Sequence, residues 1–252
     1  MPQSPDRLVD RPGAWVDLGL TLPIFLTYHL AVVFLGVQNA TDMVTGTLLR
    51  LTAGDTTRYL LATLAIGVLF AGTFALLGRG QAFRPRKFFQ IIVEGITYAV
   101  VMAIVANQVV GSLFARIPAL GLQNESRFVG FIMSLGAGFY EELTFRVLLF
   151  GIGAKLFVWL FGHQRVELAG TTTAGRYSLR SILVMSAWAI ACAVIFSGVH
   201  YVGPLSDAFQ PTSFTFRAVL GLILTLIFVT RGFAAAVWTH AIYDVWVLVF
   251  HT

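Results

Sequence analysis

Seven apolar stretches divide this chain, and a bilayer allows such stretches very few backbones. They run Trp15–Val37, Tyr59–Leu77, Phe88–Phe114, Phe128–Phe161, Ile182–Val199, Phe214–Val229 and Phe233–Phe250. A hydrocarbon core about 30 Å thick takes about 20 helical residues, close to the length of most of them. Inside lipid every peptide group must be bonded within the protein, so spans are helices or closed barrels. None of the runs alternates with the period of two that a barrel strand needs. The expected fold is all-α, a polytopic transmembrane bundle of seven spans in one integral domain over residues 1–252. An eighth span or a re-entrant segment would move the C-terminus across the membrane. The fourth stretch is too long for one straight span and must tilt, bend or project into water. The first is too long for a signal-peptide core and is expected to be retained.

Composition agrees with this setting: 57% of the 252 residues are hydrophobic and only 12% charged, with mean hydropathy +0.81. A formal net charge of +5 and a pI near 9.7 do not signal nucleic acid, because no basic face with interleaved aromatics is present. The basic residues sit instead in short loops, where they orient the protein. Arg7 and Arg11, the group Arg79, Arg84, Arg86 and Lys87, the group Arg165, Arg176 and Arg180, and Arg231 all fall on one side. Arg50, Arg58, Arg116, Arg127 and Arg217 are scattered on the other. The bias places the N-terminus in the cytoplasm. Residues 162–180 read as a polar loop, with His163 and His251 exposed. The single Cys192 cannot form an intrachain disulfide.

Against this background the fourth stretch carries an anomaly: Glu141, Glu142 and Arg146 lie inside apolar helix. One charge near a bilayer centre costs about 2.5–3.5 kcal/mol on insertion scales, so three together require partners, water or a task. Residues four apart share a helix face, which pairs Glu142 with Arg146. Glu141 points elsewhere and must look to another helix. Ser134, Gly136 and Gly138 just before it would let a neighbour approach closely. Two more pairs have the same spacing: Phe196 with His200, and His240 with Asp244, where a carboxylate can orient an imidazole. Asp17, His29, Glu94, Asn107 and Gln108 lack matching partners, and packing or interfacial roles suffice for them.

A free carboxylate, an imidazole and a second imidazole backed by a carboxylate are the parts of water-activated acyl hydrolysis. Neither G-x-S-x-G nor H-E-x-x-H is present, so a serine elbow and a zincin helix are excluded. Membrane carboxylates and histidines also build proton relays, which makes a proton-coupled transporter the alternative, with no internal repeat in its favour. A non-catalytic membrane scaffold or bacteriocin-immunity protein is a third class.

The three pairs, in this order on separate spans, resemble the CAAX protease and bacteriocin-processing family (CPBP, also called Abi), whose pattern is E-E-x-x-x-R, F-x-x-x-H and H-x-x-x-N/D. The likeness covers Phe128 to Phe250; the first three spans match only as generic apolar helices. The resemblance implies an intramembrane endopeptidase similar to the Ras-converting CAAX endoprotease. Glu141 is then the base on water, assisted by His200. Glu142 and Arg146 fix the helix, and His240 with Asp244 forms the oxyanion side. The substrate would be a peptide or membrane protein, prenylated in the CAAX case, with membrane lipids as surroundings and a bacterial inner membrane as the setting. No cofactor is favoured; a zinc reading would use Glu141, His200, His240 and Asp244. Glu141 falls well inside its stretch and His200 at the end of its own. The fifth span must therefore continue toward Pro204, or the fourth begin later than Phe128.

Overall fold

The computed structural model describes residues 14–77, 86–114, 126–163, 177–203 and 206–250. Arg7, Arg11, Arg79, Arg84, Arg116, Arg165, Arg176, Pro204 and His251, with residues 164–176 of the polar loop, lie outside them. Among the described residues every regular element is helical. Seven helices among these residues are long and apolar enough to cross a membrane: Trp15–Leu35, Thr56–Leu76, Arg86–Leu113, Arg127–Gly162, Leu179–Tyr201, Pro211–Arg231 and Phe233–Phe250. The seven expected spans are these, with ends shifted by a few residues.

The first span is broken into α1 (Ala14–Gly19) and α2 (Leu22–Leu35). Pro23 sits in the first turn of α2, where its missing N–H leaves no bond unmade. Gly36 ends the helix in the left-handed region at φ 64°. A short helix absent from the sequence reading follows, α3 (Met43–Leu51), capped by Asp42, which accepts from Val44 N and Thr45 N. Then come α4 (Thr56–Leu77) and α5 (Arg86–Leu113).

The fourth span is one continuous helix of 36 residues. It opens as α6 (Arg127–Gly136), capped by the Ser126 hydroxyl. It widens into π turns over Ala137–Glu141 and again over Leu143–Ile152. It narrows to α7 (Gly153–Phe157) and closes with π turns at Val158–Gly162. π turns occur mostly as local bulges and often at functional sites; here they enclose both motif carboxylates and Arg146. The fifth span, α8 (Leu179–Gly198), runs on through a 3-10 turn at Val199–Tyr201. Since the fourth begins at Arg127, it is the fifth that lengthens to carry His200. α9 (Pro211–Arg231) and α10 (Phe233–Phe250) complete the order.

α10 is the centre of the bundle, packed against α5, α6, α9 and the π turns at Ala137–Glu141. Ala234, Ala235, Ala236 and Val237 on it are wholly buried. Such small residues admit close helices, the main source of association where lipid is as apolar as the core. Gly138 shows how close: a Cβ there would lie 2.7 Å from the Ala241 Cβ and 2.9 Å from the Val237 carbonyl oxygen. Outward faces carry exposed Leu61, Val68, Val100, Ile104, Leu183 and Val194, suited to hydrocarbon.

Two charged residues set aside in the sequence bind helices together. Asp17 on α1 caps α10, accepting from Phe233 N at 2.5 Å and Ala234 N at 2.9 Å. Those are amide donors that a helix start leaves without partners. Glu94 on α5 receives a fork from Arg231, Nε to Oε2 at 3.2 Å and Nη2 to Oε1 at 2.7 Å.

Candidate functional site

Glu142 is wholly buried and Arg146 is 1% exposed, so neither charge is solvated. Arg146 Nε stands 3.1 Å from Glu142 Oε2, the i,i+4 ion pair expected. The other oxygen, Oε1, lies 2.7 Å from His240 Nδ1 on α10. An ionised carboxylate can only accept, so His240 donates its Nδ1–H to Glu142. The opposite nitrogen, Nε2, is then aimed at Asp244 Oδ2, 3.4 Å away, and Glu141 Oε2, 4.0 Å away. One chain of polar contacts thus runs from the buried Arg146, Glu142 and His240 to the half-buried Glu141 and Asp244.

Phe196 supplies the wall. The Arg146 guanidinium lies over its ring, 4.3 Å from the centroid, where the negative face of the aromatic attracts a cation. Phe145 meets the same ring edge-on at 5.2 Å. On its other sides Phe196 faces His200 at 5.4 Å and His240 at 6.0 Å. Arg146 also reaches the Gly221 carbonyl on α9, at 3.5 Å from Nη2.

The structure therefore links Glu141, Glu142, Arg146, His240 and Asp244 in one network, joined through Glu142 and His240. His200 joins through the Phe196 ring instead. It is half-buried, and its Nδ1 bonds the Phe196 carbonyl at 2.9 Å, which leaves Nε2 pointing away from its own helix. The sequence assigns the orienting role on His240 to Asp244. Glu142 shares that role, because it holds the Nδ1 side.

A residue missed in the sequence touches the centre. Asn39, between α2 and α3, donates from Nδ2 to Glu141 Oε1 at 3.1 Å. Behind it lies a buried polar group: Tyr28 OH donates to Asp42 Oδ2 at 2.9 Å, and His29 lies between the hydroxyls of Tyr59, at 2.9 Å, and Tyr140. Only the cluster Gln38-Asn39 and Thr41-Asp42 at the end of an apolar run hinted at this, and no spacing ties it to the later motifs.

His240 Nδ1 is engaged by Glu142 and His200 Nδ1 by a backbone carbonyl. Among the described residues no group of three or more His, Cys, Asp or Glu side chains converges to hold a metal ion.

Fold and site together define a multi-pass helical membrane protein with a buried carboxylate, histidine and arginine centre shared by its fourth, fifth and seventh spans. Residues 123–246 match the family model described as Type II CAAX prenyl endopeptidase Rce1-like, and that segment is similar to this family. Comparison with curated proteins and comparison with solved structures each returned no match.

Proposed function

We propose that this protein is an intramembrane endopeptidase in which Glu141 activates water against a peptide bond beside a lipid-modified residue. The observation that carries the reading is the facing pair Glu141 Oε2 and His240 Nε2, 4.0 Å apart, within a segment similar to an endopeptidase family. Glu141 takes a proton from water as the oxygen attacks the carbonyl carbon. Imidazolium His240, held at Nδ1 by Glu142, directs its Nε2–H at the oxyanion, where a preorganised donor is worth most. The proton on Glu141 passes to the departing nitrogen, the C–N bond breaks, and a carboxylic acid and an amine leave. His200, against the same Phe196 ring that borders His240, assists in holding the water.

The substrate class follows from the family description: a prenylated peptide ending in a CAAX-type sequence. Its lipid chain would reach the centre laterally between helices, and its extended backbone must be shielded from lipid within the cleft. The reaction proceeds by glutamate and histidine without zinc. A cytoplasmic N-terminus, from the basic loops, and a bacterial inner membrane are part of the same reading. The test is cleavage of a farnesylated CAAX peptide by the purified protein in detergent, followed by mass spectrometry. We expect release of the C-terminal fragment by the native protein and none by Glu141→Ala. Equal cleavage by that variant would remove Glu141 as the base.

A further inference from the structure

One oxygen of the Glu141 carboxylate is already taken. Asn39 donates to Oε1 at 3.1 Å, which leaves Oε2 as the oxygen on the His240 side. Asn39 is 7% exposed and cannot turn its amide round. Its Oδ1 accepts from Thr41 N at 2.9 Å and Thr41 Oγ1 at 2.6 Å. Reversing the amide would set its NH2 against the Thr41 backbone N–H, two donors face to face. The backbone is pinned as well, since Asn39 N donates to Tyr28 OH at 2.9 Å, and that hydroxyl donates to Asp42. The residue next to Glu141 is held from the same side, Tyr140 OH against His29 Nε2.

We propose that Asn39 is a positioning residue for Glu141: it fixes Oε1, so that Oε2 alone is presented to water and the reacting carbonyl. The proposal rests on the endopeptidase reading of Glu141. It places a working part of the centre in the segment between the first two spans, outside the stretch that matches the family. Asparagine is required rather than aspartate. The substitution Asn39→Asp would keep the shape and both Thr41 bonds, yet would set a second acceptor-only carboxylate against Glu141.

Three variants of the full chain in detergent decide the matter: Asn39→Asp, Glu141→Gln, and the two combined. For Asn39→Asp we expect kcat to fall on the order of 10- to 100-fold, the scale of a misplaced reacting group, with KM within about twofold. The melting temperature should fall when Asn39→Asp is made in the native protein and not when it is made in the Glu141→Gln background. In the double variant the new amide donates to the new carboxylate and restores the bond in reverse, while cleavage stays absent. An unchanged kcat in Asn39→Asp, or an equal loss of melting temperature in both backgrounds, overturns the proposal. If the native protein cleaves no farnesylated CAAX peptide, the endopeptidase reading falls by itself. The melting comparison then decides alone whether Asn39 holds the carboxylate.

Discussion

The Phe196 ring covers the Arg146 guanidinium at 4.3 Å, so an aromatic from the fifth span closes an ion pair made in the fourth. Arg146 is 1% exposed, and its charge is answered by Glu142, the Gly221 carbonyl and this ring. Phe196→Leu keeps most of the volume and loses the π face, at about 1–2 kcal/mol for a desolvated site. Phe196→Ala adds a cavity and should cost about 3–5 kcal/mol. Thermal unfolding in detergent should rank native, Leu and Ala in that order. Leu and Ala at equal stability would show that the ring acts only by filling space.

The exchange Glu142→Arg with Arg146→Glu tests whether the ion pair is self-contained. Since Glu142 also holds His240 at 2.7 Å, the exchange sets a guanidinium against the imidazole and a carboxylate against the Phe196 face. Breaking a buried pair costs about 3–5 kcal/mol, and the double variant should recover neither that loss nor cleavage. Recovery of unfolding temperature would mean that His240 tolerates the reversed charge.

Gly232 stands at φ 106° with Asp17 Oδ2 only 2.5 Å from where a Cβ would be. Gly232→Ala therefore meets backbone strain and a clash at once, and should unfold at lower temperature than Asp17→Ala. The latter loses a cap, about 0.5–2 kcal/mol. Both should reduce cleavage by loosening α10 beneath His240 and Asp244. Asp17→Asn, which keeps one acceptor, should lie between Asp17→Ala and the native protein.

A strong chelator should leave peptide cleavage unchanged, and elemental analysis should find no stoichiometric zinc in active protein. Chelator-sensitive activity restored by added zinc would transfer the water-activating role from Glu141 to a metal.

The fold was legible because hydropathy alone marks a helix that must satisfy its own backbone in lipid. The pairs Glu142 with Arg146 and His240 with Asp244 were legible because i,i+4 spacing is a local code. The widened turns around Glu141 were not, since a π turn and an α turn carry the same residues at the same spacing. Asn39 and Asp17 were hidden for another reason. Their partners lie far along the chain, at Glu141 and at Phe233 and Ala234, and one sequence holds no distance between such positions. Glu94 looked unpaired until Arg231 met it across two helices.

The Asp17 cap on α10 has a consequence in time. Chains are made from the N-terminus, at about 5–20 residues per second, so α1 waits in the membrane for the helix it will cap. Until α10 arrives, neither Glu142 nor Glu141 has the His240 imidazole beside it. On the proposed endopeptidase reading, a nascent copy is therefore silent beside the half-made proteins around it. Competence comes at the moment its two distant segments join.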